Sequence, residues 1–502
     1  MSTVRDPQEV RASKKDWLGL VVLALAVLLI SVDATVLDLA LPFISEDLAP
    51  SSTQLLWIID VYSFVLAGLL VTMGTLGDRI GRRRLLLIGA AGFGLASLFA
   101  ALATTPEMLI AARVLLGVSG ATLMPATLGL IRSMFVNPRQ RTSAIGVWGA
   151  MAGGGAAGGP LIGGWLLEHF WWGSVFIINI PVMIVLILVG PLVITESKDP
   201  DPGRFDLMSA ALSMLALVPI VYAIKETVVH GPSWILAASG LVGVLAGWIF
   251  IRRQRTLQDP MIDLSLFARP AFSTAVVTNL LAIFAMAGVL FFGSQYLQMV
   301  LGYSPLEAGL LMLPGTIVNA AASLAAGWFI QRWSVARVLS VGLLFAAIGA
   351  ACMLALSPDG GPQAFVIGFI LTGAGIGIAI TLTSDLVVSA VEPERAGAAS
   401  AISETAFELG VALGVAVLGS VVLAMFRRGL DISALTSEQA DTAQGTLGGA
   451  MEVSRSLPVD QAAAFVDSAQ GAFVDGMHVA AGATFGILLA AAILAARMMR
   501  KS

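Results

Sequence analysis

The chain has 502 residues, 57% of them apolar and only 12% charged, about half the roughly 25% charge of soluble domains. Its mean hydropathy is +0.90, so a lipid bilayer rather than water is the solvent this composition suits. A net charge of −4 leaves no basic field for nucleic acid, and the single cysteine, Cys352, excludes an internal disulfide or a thiolate metal cluster.

The first apolar run, Trp17 to Leu41, is long enough to span a bilayer and reads as a retained first helix rather than a cleaved signal. Further apolar segments follow, with centres near Ala26, Val65, Gly94, Leu123, Gly155, Ile184, Leu215, Val244, Leu281, Ile317, Leu344, Gly375, Val415 and Leu488. That pattern predicts an all-α integral membrane protein of fourteen transmembrane helices. Sorting Lys and Arg among alternate loops tests the count, because short cytoplasmic loops hold the excess. With the N-terminus inside, all but five of the 28 fall on the cytoplasmic side. Lys225, Arg427, Arg428 and Arg455 lie outside and Arg113 lies within a span. A multi-pass protein of the cytoplasmic membrane with both termini cytoplasmic is expected. The polar segment 427–476 is expected outside, as short amphipathic helices carrying Met451, Leu457, Phe465 and Phe473 around the breaker Gly445-Thr446-Leu447-Gly448-Gly449.

Three motifs carry mechanism. After the second span, Gly74-Thr75-Leu76-Gly77-Asp78-Arg79-Ile80-Gly81-Arg82-Arg83-Arg84 combines close-packing glycines with one acid and a basic cluster. It reads as a hinge in which Asp78 and Arg79 pair with helix ends in one conformation and release them in another. In the fourth span, Arg113 shares a face with Gly117 and Gly120 and needs an acid partner or water. The fifth span carries Gly153-Gly154-Gly155, then Gly159-Pro160 and Gly163-Gly164, a density that lets backbones touch and bend.

These elements resemble the signature motifs of the major facilitator superfamily, and the fifth-span motif is similar to the one of its antiporters. The first span adds Asp33-x-Thr35-Val36-Leu37-Asp38-x-Ala40-Leu41-Pro42, which resembles the opening motif of the fourteen-helix drug:proton antiporters of quaternary-ammonium and multidrug exporter type. Departures are Asp38, where asparagine is usual, and Trp172-Gly173-Ser174-Val175-Phe176 in place of a Trp-Arg-Trp pattern, although Asn179 and Pro181 follow as in the family. The second-half copy of the hinge, Gly327-Trp328-Phe329-Ile330-Gln331-Arg332, has Gln331 in place of the acid. The resemblance implies two six-helix inverted-repeat bundles with two inserted helices: 17–195, an insert at 196–256, and 257–496 with the outer loop, flanked by cytoplasmic termini at 1–16 and 497–502. Substrate is then expected midway between the halves.

Intramembrane ionisable residues are functional candidates by default. Asp33 lies about sixteen residues into its span, roughly 24 Å from the inner end at ~1.5 Å per residue. With Asp60 and Arg113 it is expected to form an acid-base cluster in the outer half of a central cavity. The second half supplies Asp385, and Glu404 with Glu408 one helical turn apart. These six are the proton-coupling and substrate candidates, and Trp57, Trp148, Phe284, Phe291 and Gln295 are candidates to line the cavity, since a cation binder wants aromatic faces.

An enzyme is disfavoured because no metal cluster, activated nucleophile or Asp-rich site appears at usable spacing. An ATP-driven pump is disfavoured because the chain has no Gly-Lys pair. The expectation is proton-coupled export of small cationic or lipophilic compounds by a monomer, with the proton gradient in place of any cofactor or metal. The alternative is export of an endogenous metabolite, lipid or siderophore by the same machinery.

Overall fold

In a computed structural model, residues 11–200, 206–231, 233–257, 260–433 and 435–498 are described, and among them the chain is helical throughout, without a strand. Among the described residues, thirteen helices are long and apolar enough to cross a membrane. A fourteenth, Pro138–His169, has 32 residues, and its glycines dilute its hydropathy without shortening it. Fourteen bilayer-length helices therefore stand as the sequence implied.

The first half comprises α1 (Lys14–Leu48), α2 (Ser52–Ile80), α3 (Arg82–Ala101), α4 (Pro106–Met134) and α5 (Pro138–His169), with the sixth span broken into α6 (Ser174–Ile177) and α7 (Asn179–Val193). Helix starts follow local chemistry. Ser13 and Ser51 cap α1 and α2 in capping boxes with Asp16 and Gln54, and Pro106 and Pro138 occupy first turns, where a missing N–H costs nothing. Helix α1 packs on α5, α2 on α4, and α3 on α4 and α7, over a core that includes Leu23, Phe93, Leu123 and Phe176.

The inserted pair, α8 (Leu207–His230) and α9 (Trp234–Gln254), folds as a hairpin whose first helix lies along α2. The approach is close: a Cβ on Gly68 would stand 2.6 Å from Val218 Cγ2. Asp206 caps α8 and holds Arg253 at the end of α9, with Nε 2.8 Å from Oδ2.

The second half comprises α10 (Pro270–Gln295), α11 (Pro305–Phe329), α12 (Val335–Cys352), α13 (Gln363–Ser389), and a long span made of α14 (Ala396–Leu413) and α15 (Gly419–Gly429) joined by a π-helical turn at 414–418. Two short helices, α16 (Ser437–Gly445) and α17 (Leu447–Ser454), precede α18 (Val459–Met498). The neighbours of the first half recur: α10 packs on α14, α11 on α13, and α12 on α13 and α18. That correspondence is the internal repeat in structural form.

One difference from the sequence reading concerns the last span. It begins at Val459 and runs for 40 residues, so Phe465 and Phe473 belong to a continuous helix rather than to separate amphipathic pieces. Both are buried in one cluster with Phe292, Phe426 and Leu447, and burying such rings outweighs the polar residues between them.

Candidate functional site

The halves meet along α5 with α11 and along α2 with α14. Glycine makes both approaches, because a Cβ on Gly74 would lie 2.6 Å from Gly397 O, and one on Gly327 would lie 2.6 Å from Ser143 Oγ. These contacts lie at the end of the molecule that carries the basic loops, called here the basic end.

An ion-pair latch surrounds the Gly74 contact. Arg82, fully buried, places Nε and Nη2 each 2.7 Å from Asp78 Oδ1, and Nη2 also donates to Glu394 O at 2.7 Å. Asp78 in turn accepts from the first backbone N–H groups of α14, Gly397 at 2.9 Å and Ala398 at 3.0 Å. A carboxylate there meets unpaired donors and the positive end of the helix dipole. Asp78 thus meets a helix end, as the sequence suggested, and the structure adds Arg82 as its ion-pair partner, brought back to it across the helix break at Gly81.

A second tie crosses the halves at the same end. Arg141 Nε stands 2.7 Å from Asp385 Oδ1, Thr142 Oγ1 donates to Asp385 Oδ2, and Arg132 Nε donates to Val388 O at 3.1 Å. Gln331 donates only to Gly327 O of its own helix among the bonds seen, so the tie near the second hinge copy is made by Arg141. Asp385 thereby stands in a contact between the halves at the basic end, not among the groups around Asp33.

Deeper in the first half, Asp33 is 1% and Arg113 2% exposed, and Arg113 Nη1 stands 3.4 Å from Asp33 Oδ2. Arg113 also donates to Ile58 O at 3.1 Å and Ile59 O at 3.4 Å, and its guanidinium lies 4.6 Å above the Tyr62 ring. Gly117 permits this, since a Cβ there would stand 2.8 Å from Tyr62 O. Asn179 Nδ2 donates to Asp33 Oδ1 at 2.8 Å and to Ser97 Oγ at 3.1 Å. The structure thus pairs Asp33 with Arg113 and adds Asn179 and Tyr62, which sequence reasoning did not select. Asp60 stands half-buried one residue beyond Ile59, and Trp57, partly exposed, meets Phe64 edge-on at 6.3 Å.

The glycine motif of α5 has divided duties. Gly155, Gly159 and Gly163 press on Leu28, Thr35 and Val36 of α1, whereas Gly154 and Gly164 face open space. Pro160 lies in the same unbroken helix. In the second half, Glu404 is buried and Glu408 half-buried on α14. Two expected cavity aromatics are core residues instead: Trp148 is 3% exposed and donates to Thr127 Oγ1 at 3.1 Å, and Phe284 is 6% exposed, in one cluster with Leu418. Phe291 is 46% exposed and Gln295 half-buried near the far end of α10.

Two helical halves, tied at one end by breakable ion pairs and holding a buried acid-base pair within one of them, define a multi-pass membrane transporter. The chain belongs to the Major Facilitator Superfamily, whose family model matches residues 23–415. It is 44% identical to the multidrug efflux pump LfrA of Mycolicibacterium smegmatis, over 99% of this chain and 98% of that one. It is 37% identical to the methyl viologen resistance protein SmvA of Salmonella typhimurium, over 95% and 97% of the two chains. Among solved structures, the human organic anion transporter MFSD10 shares the fold, with a TM-score of 0.61 at 15% identity over 94% of this chain and 99% of that one.

Proposed function

We propose that this transporter exports small lipophilic or cationic compounds across the cytoplasmic membrane in exchange for protons, by alternating access. The observation that carries the reading is the Asp33–Arg113 pair, a carboxylate and a guanidinium buried together inside the spans. Such groups are costly in a membrane and are kept for ion or proton handling. The relatives support the substrate class: one is named a multidrug efflux pump, and another confers resistance to methyl viologen.

The basic end is the cytoplasmic one in this reading, because Lys and Arg concentrate there. The latched arrangement is then the state shut toward the cytoplasm. Protons from outside neutralise acids of the site and lower its affinity for a cation, which leaves. Deprotonation and opening of the latch restore a site that faces the cytoplasm. Energy suffices: one proton moving inward through ~150 mV releases about 3.5 kcal/mol, roughly a 300-fold gradient of a neutral solute. Asp60 supplies a second counter-charge in this scheme, so Asp60→Asn is expected to weaken export of dications more than of monocations. The test is dye efflux from cells with and without an uncoupler; efflux indifferent to the uncoupler defeats the proton-coupled reading.

A further inference from the structure

We infer that Glu196 and Ser197, in the segment between α7 and the inserted hairpin, are positioning residues that preassemble the first-half part of the latch and hold the basic end toward its closed state. The inference rests on the latch reading above and adds to it a component that lies outside the hinge motif.

Gly81 stands at the N-cap of α3 and offers no side-chain cap. Glu196 takes that place from a distant part of the chain. Its carboxylate accepts from Arg83 N at 3.0 Å, Arg84 N at 3.2 Å and Ser197 N at 3.0 Å. It also lies 3.8 Å from Arg83 Nε. A negative group at a helix start satisfies unpaired donors and opposes the helix dipole. Gly81 has φ +106°, and a Cβ on it would stand 2.7 Å from Glu196 Cδ, so the glycine serves both the turn and the carboxylate. Ser197 follows with two bonds to Arg82: its carbonyl accepts from Arg82 N at 2.9 Å and its hydroxyl from Arg82 Nη1 at 2.7 Å. Asp199 N then donates to Asp78 O at 2.6 Å.

The bonds around Asp78 and Arg82 therefore fall into two sets. Those to Gly397, Ala398 and Glu394 cross between the halves and break when the basic end opens. Those to Ser197 and Asp199 stay within the first half and survive opening. Arg82 is fully buried in the latched state, so an acceptor lost there is not replaced by water. In the open state water reaches the guanidinium and replaces it. Removing the Ser197 hydroxyl thus costs the closed state more than the open one, and a hydrogen bond to a charged group is large enough to shift the ratio about tenfold. Removing the Glu196 carboxylate frees the start of α3 and acts in the same direction.

The experiment uses the full chain in lipid nanodiscs, with spin labels at Val136→Cys and Phe267→Cys, exposed positions of opposite halves, in a Cys352→Ser background. Ser197→Ala and Glu196→Ala are expected to move the distance distribution toward the long, open population by about tenfold. Ser197→Thr, which keeps the hydroxyl, is expected to leave it where the parent has it. Glu196→Gln, of equal size, gives the same reading as Glu196→Ala if that variant is not recovered. A parent-like distribution in both Ser197→Ala and the Glu196 variant overturns the inference. Asp78→Asn separates the two levels: if it also leaves the distribution unchanged, the latch reading fails, and if it alone opens the basic end, only the roles of Glu196 and Ser197 fall.

Discussion

Arg141 and Asp385 form an ion pair of 2.7 Å between α5 and α13, and so between the two halves of the molecule. Their side chains are only 10% and 13% exposed, and removing one partner of such a pair strands the other charge. Asp385→Asn is expected to favour the open basic end and slow efflux several-fold. Substrate affinity is expected to stay within about twofold, since the pair lies at the closure surface. Loss of substrate-induced proton release in this variant would return Asp385 to the coupling set.

Asp78→Asn is the sharper probe of closure. Asn keeps an acceptor for one of the two N–H groups at the start of α14 but cannot balance Arg82, which is buried beside it. Turnover is expected to fall at least tenfold while equilibrium binding of substrate changes little. Single-turnover efflux compared with binding titration checks this; equal losses in both count against a switching role.

The segment between α15 and α18 is a helical cap, with Ala443, Leu447, Ala450 and Val453 buried against the second-half core. Replacing 433–457 by a short linker is expected to leave the spans inserted, because each satisfies its own backbone. Melting in detergent is expected to fall, since those apolar residues lose their partners. Extending the deletion through Phe473 removes core rings as well and is expected to lower it much further.

The count of spans, the glycine contacts and the Asp33 and Arg113 candidates were legible in the sequence. Length, hydropathy and intramembrane charge are local properties of a segment. What escaped depended on partners far apart in the chain. Nothing near Arg141 marks it as the mate of Asp385, 244 positions away, and Glu196 reads as a loop acid until it is seen at the start of α3. Trp148 and Phe284 misled because an aromatic at helical spacing looks the same facing a cavity or a core. Arg82 could not be singled out from Arg83 and Arg84 by helical period, because its approach to Asp78 depends on the helix break at Gly81 between α2 and α3.

Asp206 gives a pH-dependent expectation outside the spans. Hydrogen bonds from the Arg253 guanidinium, helped by Ser209, hold its carboxyl at about 2, below the ordinary 3.8. A lowered folded-state value means the contribution is present above about pH 4 and is lost as pH falls through 2. Asp206→Asn is expected to cost about 1 kcal/mol or less, because the pair is partly exposed. The gap in melting temperature between parent and variant should be level from pH 5 to 8 and close below pH 4. A gap that widens on acidification contradicts the assignment.

Asp33 carries the most consequential expectation. Converting it to Asn removes the charge while keeping the shape, and Arg113 retains Ile58 O, Ile59 O and the face of Tyr62. Those partners soften the usual cost of an orphaned buried charge, so Asp33→Asn is expected to fold and reach the membrane. With no proton to exchange at this position, uphill export of cations is expected to vanish, while downhill exchange of labelled substrate persists. Asp33→Glu, which restores a carboxyl one methylene further out, is expected to recover part of the coupling. The measurement is proton release from purified protein on adding substrate, made beside dye efflux for each variant. Parent-like release and efflux from Asp33→Asn sink the assignment, and the coupling role then passes to Asp385 on α13 or to Glu404 and Glu408 on α14, carboxylates buried or half-buried in the spans of the second half.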